Sequence, residues 1–277
     1  MATYTRTLYL PGLHAQYKIW KTFIGPLAGD VDKIIQLGNV IGCTDFVKDD
    51  SWQGPNEGIL TYVITRRAHK DNWTQLIGPN EMAALNFPNE WTNDKSNRIL
   101  REAWFGDEKI FKVAAVDKNR LVSHGGLTFG EWLSIGKPQT AQEAADLLNA
   151  KYENTVYQGP GIKLGDPPNF YANPIWADYN MELLPSWITA PEACPFDQIT
   201  GSGSTNTAAG RELSNNSSSI LHYIDKTRFN GTGSISTIKG ANFTAVDYNI
   251  ELTGDLMTTV PARLQFYIEK TKTEEER

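Results

Sequence analysis

Short apolar runs separated by amphipathic stretches organise the first half of the chain. Leu8, Tyr9 and Leu10, within the strand-like stretch from Thr5, and Ile34-Ile35-Gln36-Leu37 each end at a Gly-containing loop. Near-continuous apolar runs of this length suit buried strands of a mostly parallel sheet. Between them Tyr17, Trp20, Phe23 and Ile24 recur at helical spacing, which predicts a crossover helix over residues 16–24. Residues 59–64 form another apolar run that fits a strand or a helix. The run from Trp73 to Ile77 leads into Gly78-Pro79-Asn80-Glu81, and the run from Arg120 to Ser123 leads into a loop carrying His124. The clearest helix is 140–152, where Thr140 and Glu143 make a capping box and Ala144, Leu147 and Leu148 mark one face.

Residues 200–219 are rich in Gly, Ser, Thr and Asn and read as a long polar loop or lid. Segments 220–224, 233–238, 243–250 and 263–268 alternate as strands of a second, more antiparallel sheet. The charged tail 269–277 is expected to fray. Strand-helix alternation followed by strands predicts an α/β fold in one layered domain over 1–277, with two domains as the alternative.

Charge and cysteine content narrow the partners. A net charge of −6 argues against broad attraction to nucleic acid. Cys43 and Cys194, the two cysteines, form no zinc or disulfide pattern and read as free thiols in a reducing compartment. No apolar stretch approaches the length that spans a bilayer, and strand-like sequence from Thr5 leaves no room for a signal peptide. A soluble, cytoplasmic protein with no membrane partner is therefore expected.

The candidate chemistry lies with the histidines, of which the chain has four. His69 sits in the basic run Arg66-Arg67-Ala68-His69-Lys70 and suits a solvated surface. His14, His124 and His222 each follow a short apolar run, as at the exit of a buried strand, where α/β folds place ligands. Gly12-Leu13-His14, Leu37-Gly38-Asn39-Val40-Ile41-Gly42-Cys43, Gly78-Pro79-Asn80-Glu81 and His124-Gly125-Gly126-Leu127 follow one another in that order. Asn173-Pro174-Ile175-Trp176-Ala177-Asp178 and Leu221-His222 come after them.

In order and spacing this series resembles the calcineurin-like metallophosphoesterases, in the branch of the Ser/Thr protein phosphatases and diadenosine tetraphosphatases. That family runs Asp-x-His, Gly-Asp-x-x-Asp-Arg-Gly, Gly-Asn-His-Glu and His-(Gly/Ala)-Gly-Leu, and the resemblance spans roughly residues 7–250. It implies two mixed β-sheets packed as a sandwich flanked by helices. It also implies that most of the metal chemistry is gone. Gly12 and Asn39 stand where the family has its metal-binding and bridging Asp, Pro79 where it has an Asn ligand, Asn80 where it has the catalytic His, and Cys43 where it has the phosphate-clamping Arg. His14, Glu81, His124 and His222 keep the family identity.

Two dications held about 3.5–4 Å apart need anionic ligands to offset their repulsion, and neutral imidazoles supply no such charge. No catalytic residue and no cofactor is therefore expected. The leading expectation is a pseudophosphatase retained as a binding or structural module. The alternative is a phosphoester hydrolase using one Mn, Zn or Fe ion held by His124, His222 and the Asn39 carbonyl. A third reading keeps the old cleft as a site for a phosphate- or nucleotide-containing ligand that is bound without being cleaved.

Overall fold

The structure, a computed structural model, describes residues 4–10, 12, 31–41, 72–87, 94–156 and 171–201, and the strand segments 211–212, 220–223, 228–229, 243–253 and 259–272. The expected helix 16–24, the run 59–64 and the strand 233–238 lie outside the described residues.

The fold is α/β, with two sheets and helices beside them. Strands β1 (Tyr4–Leu10), β2 (Lys33–Gln36), β3 (Trp73–Leu76) and β4 (Phe111–Lys112) lie side by side and parallel. The second sheet takes β5 (Ala114–Asp117), β6 (Arg120–Ser123), β7 (Gln198–Thr200), β8 (Arg211–Glu212) and β9 (Ile220–Tyr223), in the order β5-β6-β7-β9-β8. The last strands, β10 (Arg228–Phe229), β11 (Phe243–Thr253) and β12 (Thr259–Lys272), return to the first sheet, whose order is β10-β12-β1-β2-β3-β4 with β11 paired to β12.

Strand periodicity explains the layers. Along β1 and β2, alternate residues face opposite sides. Tyr9, Ile35, Leu37 and Leu76 from the first sheet meet Val122, Ile199 and Ala115 from the second in one apolar layer. Leu8, Leu10, Ile34 and Trp73 belong to the larger core with helices α1 (Pro79–Asn86) and α2 (Asp94–Phe105). On α2 the buried Ser96, Leu100, Ala103 and Trp104 fall at helical spacing. Helices α3 (Phe129–Ser134), α4 (Ala141–Tyr152) and α5 (Leu184–Ile188), the last preceded by a π-helical turn at Tyr179–Leu183, add to the same core, with Trp132 and Trp187 packing ring against ring at 5.6 Å.

Several expectations need correction. The strands after residue 220 do not make one antiparallel sheet: β6, β7 and β9 run parallel, while β11 and β12 cross to the first sheet. Residues 269–272 do not fray, because β12 continues to Lys272, which pairs with Tyr4 of β1. Segment 200–219 is not loop throughout, since Thr200 ends β7 and Arg211 and Glu212 pair with β9. The helix α4 is capped by Thr140, whose Oγ1 accepts from the Glu143 N–H. Glu143 completes the box one residue earlier, on the Gln139 N–H at 2.9 Å. Leu147 is exposed; the buried face is Ala141, Ala144, Ala145, Leu148 and Tyr152, which tracks the helical period more closely than the apolar letters do.

Among the described residues, no helix is long and apolar enough to cross a membrane. Cys194 is a buried thiol that donates to the Phe196 carbonyl at 3.2 Å, and burial raises its pKa to about 11, so at neutral pH it stays protonated. Cys43 lies outside the described residues.

Candidate functional site

Parallel strands deliver their carboxyl ends to one edge, and the glycine loops gather there. β1 and β2 stay in register to the end, with the Leu37 N–H donating to the Leu10 carbonyl at 2.9 Å. Gly38 (φ +90°) and Asn39 (φ 55°) then take two consecutive left-handed conformations and turn the chain sharply. Only glycine fits at position 38, where a Cβ would lie 2.8 Å from the Gly78 nitrogen and 2.9 Å from Nδ1 of His124. At Gly125 a Cβ would come within 2.7 Å of the Ala177 backbone, and the Gly125 N–H donates to the Pro174 carbonyl. The loops after Leu37, Ile77 and Ser123 and the segment 173–178 thus close on one another at backbone distance.

Asn39 is the centre of this junction. Helix α1 begins at Gly78, which has no side chain to cap it, with Pro79 at its first position. Asn39 supplies the missing acceptor from the neighbouring loop: its Oδ1 takes the Asn80 N–H at 2.9 Å. Its Nδ2 points at Nε2 of His124, 3.3 Å away. The tautomer follows from the partners. Nδ1 of His124 lies 2.5 Å from the Leu37 carbonyl, which can only accept, so Nδ1 carries the proton and Nε2 is the acceptor for the Asn39 amide. The Asn80 amide turns away and donates to the Ile41 carbonyl at 2.8 Å.

Glu81 binds the same loops from below. Its carboxylate accepts the N–H groups of Asn39 (2.8 Å), Gly78 (2.8 Å) and Ile41 (3.0 Å), and it is fully buried. Burial raises its pKa to about 7, against the pull of those backbone donors. The sign of the linkage follows. As pH rises from 4.5 toward 7 the unfolded chain ionises Glu81 before the folded chain does, so stability falls across that window. The loss is up to about 3 kcal/mol, and it levels off above pH 7. Urea midpoints measured across that range should show this slope in the unsubstituted protein and not in Glu81→Gln.

The remaining positions divide. Gly12 is buried beyond β1. His14 lies outside the described residues. The His222 backbone stands opposite Ile199 in β9, two strands across the sheet from the strand that carries His124. Asp178 caps a turn: its Oδ1 accepts the Met181 N–H at 2.9 Å, and its own N–H donates to Glu182 at 2.9 Å. That makes it part of the packed wall over Gly125.

Among the described residues, no cluster of three or more His, Cys, Asp and Glu side chains could hold an ion; His14, Cys43 and the His222 side chain lie outside them. The two best remaining donors, Oδ1 of Asn39 and Nε2 of His124, each face an N–H instead. No family model matches this chain, and no curated protein does. The reading of the site therefore rests on its own geometry. The capping role of Asn39 was not legible from local spacing, since its helix begins 40 residues downstream. The Gly38-Asn39 pair, a dipeptide suited to left-handed backbone, was its one local signal.

Proposed function

We propose that this chain is a metallophosphoesterase-like pseudoenzyme of calcineurin-like fold, retained as a binding or structural module. In that reading its two sheets are the sandwich of that fold. The observation that carries the proposal is the Asn39 amide. It stands at the bridging-acid position of the resemblance, donates to His124 Nε2 and caps α1 with its oxygen. A bridging Asp there would turn an acceptor toward that lone pair, an arrangement that needs a metal ion or an added proton between them. Asparagine replaces the ion with a hydrogen bond and removes the repulsion that unmetallated carboxylates suffer. With Gly12, Pro79 and Asn80 in the other positions, the junction holds its loops together by its own hydrogen bonds.

The test is manganese-, zinc- or iron-dependent hydrolysis of an aryl phosphate, with bound metal measured on the same samples. The unsubstituted protein is expected to bind fewer than two ions per chain and to hydrolyse at the uncatalysed rate. Turnover that is abolished by His124→Ala overturns the proposal and makes His124, His222 and Asn39 the candidate mononuclear site. Single reversions such as Asn39→Asp are expected to restore nothing, because metal ligands act as a unit. The combination Gly12→Asp, Asn39→Asp, Pro79→Asn and Asn80→His is the one expected to recover metal binding.

A further inference from the structure

Two loops of the junction leave different sheets, and the chain passes between those sheets within one residue. β4 ends at Lys112, which pairs with Leu76 of β3, and the Lys112 carbonyl accepts the Ile77 N–H at 2.9 Å. Gly78 and helix α1 follow at once. β5 begins at Ala114, which pairs with Ser123 of β6, and His124 comes next after that serine. Val113 alone therefore separates the residue that holds the base of one loop from the residue that holds the base of the other. A single side chain grips this crossing. Asn149, half-buried near the end of α4, accepts the Val113 and Ala114 N–H groups on its Oδ1 at 2.9 and 3.1 Å. Its Nδ2 donates to the Ala114 carbonyl at 2.8 Å. β5 is the edge strand of its sheet, so Asn149 binds Ala114 as a residue of a neighbouring strand would.

We infer that Asn149 is a positioning residue for the loop junction: by bracing Val113 and Ala114 it fixes the separation between the Gly78–Glu81 segment and His124. It acts through β3 and β6, the strands that deliver those loops. The separation matters because one short side chain spans it. Oδ1 of Asn39 takes the Asn80 N–H on one side, and Nδ2 reaches Nε2 of His124 at 3.3 Å on the other. That second bond is already long, so a small slip of one sheet against the other breaks it first. The crossing lies at the carboxyl ends of β3 and β6, the same edge as the junction, so movement at Val113 reaches the loops undiminished. Val113 is itself buried, which makes its N–H costly to leave without an acceptor. The brace acts in the same way whether or not the junction ever holds an ion.

The experiment reads the ring-nitrogen NMR signals of His124 and amide hydrogen exchange in the full chain. Asn149→Ala is expected to fold, because water reaches a half-buried position and can bond the freed groups. It should shift the His124 signals. The Asn39, Gly78 and Ile41 amides should exchange about tenfold faster relative to those of β1, the effect of about one lost hydrogen bond. Asn149→Asp keeps the acceptor for both N–H groups and removes only the donor to the Ala114 carbonyl. It should shift the same His124 signals, and it decides the matter if the alanine variant does not fold. Thr140→Ala removes the cap at the other end of α4, which weakens the helix and leaves the crossing intact. It should lower the unfolding midpoint and leave the His124 signals where they are. His124 signals and relative exchange unchanged in the Asn149 variants, or changed as much in Thr140→Ala, overturn the inference and leave Asn149 as a fastening of α4 to β5 alone.

Discussion

Asp117→Ala is expected to lower the free energy of unfolding by about 3–5 kcal/mol, the cost of leaving a buried charge without its partner. Asp117 gathers two groups that the chain brings from far apart, Tyr9 and Lys33, and one from three residues along, Arg120. The Tyr9 hydroxyl donates to it, Arg120 reaches it at 2.9 Å, and Lys33 reaches it at 2.9 Å. The Arg120 guanidinium also donates to the Tyr9 hydroxyl, so the network joins β1 of one sheet to β5 and β6 of the other. Arg120 and Asp117 are nearly buried, whereas Lys33 is 31% exposed and contributes less. Chemical denaturation of Asp117→Ala, Arg120→Met and the double variant checks the point. The double variant should cost less than the sum of the two single ones, because each single change strands the other charge.

The same network sets an acid dependence. Burial pushes the Asp117 pKa up, but the Tyr9 hydroxyl, Lys33 and Arg120 together hold it below the usual carboxylate range. Stability from this group is therefore present above the unfolded pKa and is lost as pH falls through the folded one. Its acid limb lies below the window in which Glu81 acts, and the two have opposite slopes.

Gly78→Ala should cost about 3 kcal/mol and loosen the loop junction. An added Cβ would lie 2.6 Å from both the backbone nitrogen and Oδ1 of Asn39, the two atoms through which Asn39 holds Glu81 and α1. Neither can retreat without breaking one of those bonds. Gly136→Ala is the contrasting control. Gly78 is extended (φ -123°) and crowded, whereas Gly136 has positive φ (+91°) and nothing within 4 Å of the added carbon, so that change should cost only about 1 kcal/mol of backbone strain. Thermal unfolding of the two variants separates steric closure from conformational preference. Hydrogen exchange at the Asn39 and Ile41 amides should rise in Gly78→Ala alone.

Local pattern carried the elements whose information is local. The apolar runs at β1, β2, β3 and β6 and the Thr140 cap of α4 depend on residues within a turn or two of one another. The glycines at 38, 78 and 125 read in the sequence as parts of ligand-placing loops, and only the structure brought backbones close to them. Leu147 shows where letter-reading fails, because the angle at which α4 meets β5 and β6 decides which apolar residue is covered.

What only the tertiary structure decided are relations between distant strands. β12 bypasses the nearer sheet and pairs with β1, which makes residues 269–272 of the expected fraying tail part of a strand. Asp117 finds Tyr9 across 108 residues. Asn39 caps a helix it does not belong to, and its register against α1 exists only once β2 and β3 are parallel neighbours. The sequence determined by itself that an amide stands at position 39 and a residue without a side chain at position 12. The fold decided what the Asn39 amide does: it donates to the His124 imidazole, because a buried acceptor must meet a donor.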